Sequence, residues 1–236
     1  MKTNKKIIIG VILSKVFIIY VSFCIIHKLE FAREWKPTQY SVSDSSAFEL
    51  KKGDILIRPN WMWWPGSMGI PNGRRYGHVG VVVEGATGNS VEDALQRAHI
   101  VEALFFDQRT KQFVFNSAEQ LREELAIVSF GSKFKGIRYR LRLPITQEKT
   151  DSICIFLRSQ LDARYNILSL KSKQKINAKS VNNSFGRSSW HCATLTWTAF
   201  YGFLNKDIDG NKGLLIYPSD IIGSKLFDTE EGRICF

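Results

Sequence analysis

Cysteine is scarce in this chain of 236 residues: there are four, Cys24, Cys154, Cys192 and Cys235. That is too few for a disulfide scaffold, and no pair has the CxxC spacing of a structural zinc ribbon. Histidine is as rare, also four, so few side chains are available as a base at neutral pH. No internal repeat is present and only one long apolar run occurs, which excludes solenoids and polytopic membrane proteins. A hydrophobic fraction of 44% with 23% charged residues excludes a disordered chain.

The charge of one sign that does stand out is positive, +11 in all. Residues 1–36 hold seven Lys/Arg and two Glu, leaving 26 Lys/Arg against 20 Asp/Glu, or +6, for the other 200 residues. That is a mildly basic domain. It has no Lys/Arg-rich helix with interleaved reading side chains and no RNA-recognition signature, so nucleic acid is not the expected partner. An anionic membrane or cell wall suits the same charge. The length fits one ordinary domain with extensions.

Lys2, Lys5 and Lys6 precede an apolar run over residues 7–26, IIIGVILSKVFIIYVSFCII. Its length matches the roughly 20 residues of a bilayer-spanning helix. Lys15, near the middle, costs about 2.5–3.5 kcal/mol on insertion scales, which the surrounding Ile, Val and Phe offset. Residues 1–35 therefore read first as an uncleaved signal anchor with the domain outside the cytoplasm. The alternatives are a cleaved signal peptide, including a lipoprotein signal ending at Cys24, and a buried helix. Residues 36–49 are polar and Ser-rich and read as a linker. Residues 50–236 form the domain.

Within it, a Gly-Asp turn leads into a strand over 54–58, and HVGVVVE (78–84) is a β-branched strand. SVEDALQRA reads as a helix, HIVEALF and QFVFN as strands, AEQLREE as a short helix capped by Asn116 or Ser117, and LAIVSF as a strand. IRYRLRL alternates apolar and basic, so Arg138, Arg140 and Arg142 are expected on a solvated sheet face, with an anionic-ligand site as the alternative. Residues 147–163 have helical spacing, 166–189 form a long polar loop, and WHCATLTWTAFYGFL is a helix capped by Ser188 or Ser189. NKDIDGNKG (205–213) has the front of a calcium loop, but Ile216 stands where the bidentate Glu belongs, so it reads as a turn. No cofactor or metal is expected.

Cys192 lies in the first turn of its helix, where the positive end of the helix dipole favours a thiolate and lowers the thiol pKa. The bland alternative is a buried apolar cysteine. His191 adjoins it, and neighbours on a helix point about 100° apart, so it is poorly placed as the base. His78, where a loop meets a strand, is better placed. Glu102, a carboxylate in the otherwise apolar IVEALF, is the candidate to orient the imidazole, or else a structural ion-pair partner; Glu84 is the spare. Tyr76, Trp63 and Trp64, close to His78 in sequence, are the candidate substrate-binding residues. The Trp61, Trp63, Trp64 cluster reads equally as a packed loop. Cys154 and Cys235 are not expected to be catalytic; a disulfide between them is left open.

The segments LKKGDILIRP, YGHVGVVVE, HIVEAL, RYNIL, WHCATLTWTAF and LLIYPSDII resemble, in that order, the permuted NlpC-type papain-like hydrolases of the YiiX/YebB/YaeF group. The likeness runs from about residue 50 to 222. It implies an α+β domain of permuted papain-like (NlpC-type) fold, an antiparallel sheet packed against a nucleophile-bearing helix, with an N-terminal transmembrane or signal helix. His78 precedes Cys192, the reverse of papain. The resemblance implies Cys192 as nucleophile, His78 as base and Glu102 as orienting residue. The expected activity is a thiol hydrolase cleaving an amide or ester of a cell-envelope peptide or lipid through an acyl-enzyme. The alternatives are a lipid acyltransferase or deacylase of the lecithin:retinol acyltransferase-like type, and a catalytically lapsed, membrane-anchored binding domain. Ala193-Thr194 stands where the group has Ser-Glu, His191 where it has Tyr, and Asn166 where Asp is common; the loop 166–189 also looks longer.

Overall fold

The computed structural model describes residues 4–31, 40–59, 69–70, 74–107, 110, 112–115, 117–134, 136–167, 169–171 and 189–236, without the side chains of 4–8, 23–31, 69–70, 74–75 and 117–118. The chain forms two units, Met1–Trp35 and Lys36–Phe236. The first contains helix α1, Asn4–Phe31. Its large apolar side chains from Ile9 to Tyr20 are exposed all round. Among the described residues no helix is long and apolar enough to cross a membrane.

The second unit is α+β with a mostly antiparallel sheet. It begins earlier than the sequence suggests. The Ser-rich stretch expected as a linker supplies β1, Tyr40–Ser41, and β2, Phe48–Leu50. In β2 Phe48 and Leu50 are buried around an exposed Glu49, and burying two such side chains is worth about 1.5–3 kcal/mol each. A turn with Gly53 at φ +83°, favourable only for glycine, opens β3, Ile55–Pro59. Then follow β4, Gly69–Ile70, the long β5, Arg74–Glu84, and β6, Ala86–Gly88. Helix α2, Val91–Arg97, is capped by Ser90, whose side chain accepts from the Asp93 N–H. Next come β7, His99–Ala103, and the hairpin of β8, Phe106–Asp107, with β9, Gln112–Phe113.

Here the local reading of the sequence fails. The segment AEQLREE is helical only as α3, Ser117–Gln120, and then becomes β10, Leu121–Leu125; LAIVSF is not a strand but supplies helix α4, Ala126–Phe130. Five residue pairs with β7 hold β10 in the sheet, from Leu121–Ala103 to Leu125–His99. Strand β11 is Tyr139–Leu141, α5 is Gln147–Ser159 capped by Thr146, α6 is Cys192–Leu204, α7 is Pro218–Ile222, and β12 is Arg233–Cys235.

The main sheet runs β1-β12-β11-β3-β5-β7-β10, with β4 added beside β5. All its pairings are antiparallel except β1 with β12. Leu56, Val82 and Ile100 bury one face against α2 and α4 through Val91, Leu95, Ala126 and Phe130. Ile55, Ile57, Val79, Val81 and Val101 alternate with these and are buried too. Helix α6 packs against β5 and β7, with α5 beside it.

The arginines in and beside β11 are not on a wet face. Arg138 and Arg140 are buried; Arg138 Nη1 donates to Phe130 O at 2.8 Å, and its guanidinium lies over the Phe236 ring. Arg142 grips both oxygens of buried Asp54, each at 2.7 Å. Cys154 and Cys235 are both free; Cys235 Sγ lies 3.1 Å from Ser41 Oγ.

Candidate active site

Sheet register builds the site. Arg58 in β3 stands opposite His78 in β5, Gly80 opposite Glu102 in β7, and Glu102 opposite Arg122 in β10. Directly opposed residues share a face, as do residues two apart on one strand. Four adjacent strands thus put Arg58, His78, Glu102 and Arg122 on one face. Gly80, with no side chain, lies between His78 and Glu102, which meet diagonally: His78 Nε2 is 2.7 Å from Glu102 Oε2, and both are buried.

The other carboxylate oxygen is occupied as well. Glu102 Oε1 accepts from Ser129 Oγ at 2.8 Å and from Arg122 Nε and Nη2 at 3.2 and 3.1 Å. Burial alone would raise the Glu102 pKa, but His78, Arg122 and Ser129 outweigh it and bring it down to about 2. An ionised carboxylate only accepts hydrogen bonds, so His78 Nε2 carries the proton and Nδ1 is the basic nitrogen. Burial first, and the Arg58 charge second, lower the His78 pKa against the pull of Glu102. The ring is held by stacking on Phe130, centroids 5.6 Å apart.

Cys192 is the first residue of α6, after His191 as N-cap with no side-chain cap bond. Of the two serines expected to cap it, Ser188 lies outside the described residues, and Ser189 Oγ instead accepts from Asn166 Nδ2 at 3.1 Å. Pairing of β5 with β7 ends at Gly80–Glu102, so Val79 lies just past it. The Cys192 sulfur sits against the N–H groups of Val79 and Ala193, which favour the thiolate. Burial nevertheless dominates and pushes the thiol up to about 11. That reverses the lowered pKa expected from the helix terminus: dehydration of a fully buried sulfur exceeds the stabilisation from two N–H groups. The Cys192 thiol and the His78 imidazole are both neutral at neutral pH. No hydrogen bond joins them among the described contacts.

His191 was discounted on helical geometry, which does not apply to it. As N-cap it is extended, φ −84° and ψ 147°, and its Nε2 is 4.0 Å from Cys192 Sγ. The edges of Tyr165 and Tyr217 pack around its ring. Burial, with a smaller contribution from His78, lowers its pKa to about 4.

Tyr76 is wholly buried, its ring against Tyr139 at 5.3 Å, so it belongs to the core beneath the site. Trp63 and Trp64, like Trp61, lie outside the described residues. The DIDGN segment is a turn held by its own side chains: Asp207 Oδ1 accepts from Asp209 N, and Asp209 Oδ1 from Asn211 N. Asp209 also pairs with Lys171. Among the described residues no group of three or more His, Cys, Asp or Glu is arranged to hold a metal ion.

Sequence reasoning missed Arg58, Arg122 and Ser129. Arg122 and Ser129 lay in the two segments whose helix and strand characters were exchanged. Arg58 ended a correctly read strand, and only the register places it opposite His78. No family model matches the chain, and no curated protein or solved structure matches it either.

Proposed function

We propose that the domain is a thiol hydrolase of Cys-His-Glu type, with a permuted papain-like fold, acting on an amide or ester bond. The observation that supports this most is the buried 2.7 Å bond from His78 to Glu102, with the Cys192 sulfur against the N–H of the next residue, Val79. A carboxylate that fixes one imidazole nitrogen and leaves the other basic is the arrangement general-base catalysis requires.

In the reaction, Cys192 Sγ attacks the acyl carbon while His78 Nδ1 takes the thiol proton. The sulfur–carbon bond forms, and the carbonyl electron pair moves to oxygen, near the Cys192 backbone N–H at the start of α6. Collapse breaks the carbon–nitrogen or carbon–oxygen bond, and His78 gives its proton to the departing amine or alcohol. Water then attacks the thioester with His78 again as base, and the carboxylic acid leaves. Because thiol and imidazole both start neutral, proton transfer accompanies attack. With the apolar run of α1 read as a signal anchor, the domain lies outside the cytoplasm and the substrate is a cell-envelope peptide or lipid.

Burial of Cys192, 2% exposed, favours a second reading, a membrane-anchored binding domain without turnover. Profiling envelope peptides and lipids with wild type and Cys192→Ala separates the two. Products bearing a new carboxylate, absent with Cys192→Ala, support hydrolysis, and a new ester or amide would mean acyl transfer. Identical profiles would leave the binding domain.

A further inference from the structure

Among the described residues Arg58 has no carboxylate partner, in the middle of a row whose other charges are paired. It is 2% exposed. A guanidinium has five N–H donors. Here the hydrogen bond formed is Nη1 to Pro59 O at 3.3 Å, and the buried Nε has no partner. Its carboxylate neighbours are committed elsewhere: Glu102 to His78, Arg122 and Ser129, and Asp107 to Arg122. Burial lowers the Arg58 pKa only to about 10, so the group stays charged at neutral pH, within electrostatic range of Cys192 and Glu102. A buried charge left unpaired is costly.

The guanidinium lies over the Phe134 ring, 4.0 Å from Cζ to centroid. One flat face is therefore covered and the N–H edge remains. The shape that matches such an edge is a planar, two-oxygen anion.

We propose that Arg58 is the specificity residue of this site and receives a carboxylate that the substrate carries beside the scissile bond. The inference rests on the hydrolase reading above and narrows its substrate class to acyl compounds with a carboxylate near the reacting carbonyl. Position supports it: Arg58 is directly opposite His78, whereas Arg122, the other cation of the row, is filled by Glu102, Asp107 and Glu124.

Two alkylating reagents of nearly the same shape test it, iodoacetate with a carboxylate and iodoacetamide without. In each the sulfur forms a bond to carbon as iodide leaves with the bonding pair. The full chain is treated at pH 9, and the Cys192 peptide is followed by mass spectrometry so that the other cysteines do not interfere. The ratio of the two rates cancels any change in thiol reactivity. Relative to N-acetylcysteine, the ratio at Cys192 should favour iodoacetate at least tenfold. Arg58→Met should bring it to the N-acetylcysteine value, while Arg58→Lys keeps part of the preference. Arg58→Met should also melt at a higher temperature than wild type, because it removes an unpaired buried charge. A wild-type ratio equal to that of N-acetylcysteine overturns the proposal without any variant and leaves the hydrolase reading standing. A preference unchanged in Arg58→Met overturns it as well. A Cys192 that reacts with neither reagent removes the hydrolase reading and this inference together.

Discussion

Glu102 and Cys192 are buried almost equally, at 1% and 2% exposure, yet the protein treats their protons in opposite ways. Glu102 has a donor on each oxygen and its pKa falls to about 2; the Cys192 sulfur has two backbone N–H groups and its pKa rises to about 11. Burial penalises both charged forms, so the difference lies in the neighbours supplied. A cation, an imidazole and a hydroxyl hydrogen-bond to the carboxylate, whereas the sulfur has two backbone N–H groups, the His191 imidazole at 4.0 Å and the more distant Arg58 charge, too little to offset its burial. His78 is bonded to Glu102, with one nitrogen committed and the other basic. An acid and a base pushed apart in this way around one imidazole is a pattern expected at a reacting centre.

The comparison breaks most visibly when each member is removed. Glu102→Ala strands Arg122, Ser129 and the His78 N–H in the interior, which should cost about 3–5 kcal/mol and is read from denaturant unfolding. Cys192→Ala strands no charge and should cost about 1 kcal/mol while abolishing turnover. Equal losses from the two would mean that Glu102 is not the organising charge of the row.

The pH dependence sharpens the same contrast. His191 is held at about 4 against an ordinary 6.5, and His78 is lowered too. As the pH falls below 6.5 the unfolded chain binds protons that the folded chain refuses, so stability falls until the folded values are passed. For His191 the full effect is roughly 3 kcal/mol. Glu102 continues the decline from 4.5 towards 2; Asp54, raised by burial, works against it. Cys192 acts on the alkaline side. Above 9 the unfolded thiol ionises and the folded one does not, so stability falls towards pH 11, a loss shared with Cys154, which burial also pushes to about 11. Thermal melts across pH 4–11 should therefore fall at both ends. Iodoacetamide labelling of Cys192 should rise with pH through the same alkaline range. A labelling midpoint below 8 would show that Cys192 and His78 form an ion pair, and the contrast with Glu102 would disappear.

What the sequence disclosed follows from the range over which each feature is specified. His78, Glu102 and Cys192 announce themselves locally: a histidine at the mouth of a β-branched strand, a carboxylate inside an apolar one, a cysteine opening an apolar helix. The meeting of His78 with Glu102 depends on register, which no local pattern contains. The same limit hid Arg58, whose meaning comes from standing opposite His78. In LREEL and AIVSF, propensity gave the wrong element because pairing with β7 and packing of Phe130 against the sheet decide there. The arginines in and beside β11 misled for a related reason. Alternation marks two faces of a strand, but not that both are covered.

The smallest expected effect tests the geometry of the diagonal. Gly80 stands between His78 and Glu102, and a Cβ there would come 3.2 Å from the Phe130 ring and 3.2 Å from Ile100 Cδ1. These are side-chain contacts that yield by a few tenths of an ångström, so Gly80→Ala should fold with a loss of about 1 kcal/mol. Its larger consequence should be chemical. Phe130 is the ring on which His78 stacks, so displacing it turns the imidazole and loosens the hydrogen bond to Glu102. Turnover should then drop more than tenfold with KM nearly unchanged, the signature of lost transition-state alignment rather than lost binding. If Gly80→Ala instead weakens stability and leaves turnover intact, the glycine serves packing alone, and the diagonal meeting of His78 and Glu102 does not depend on the gap it leaves.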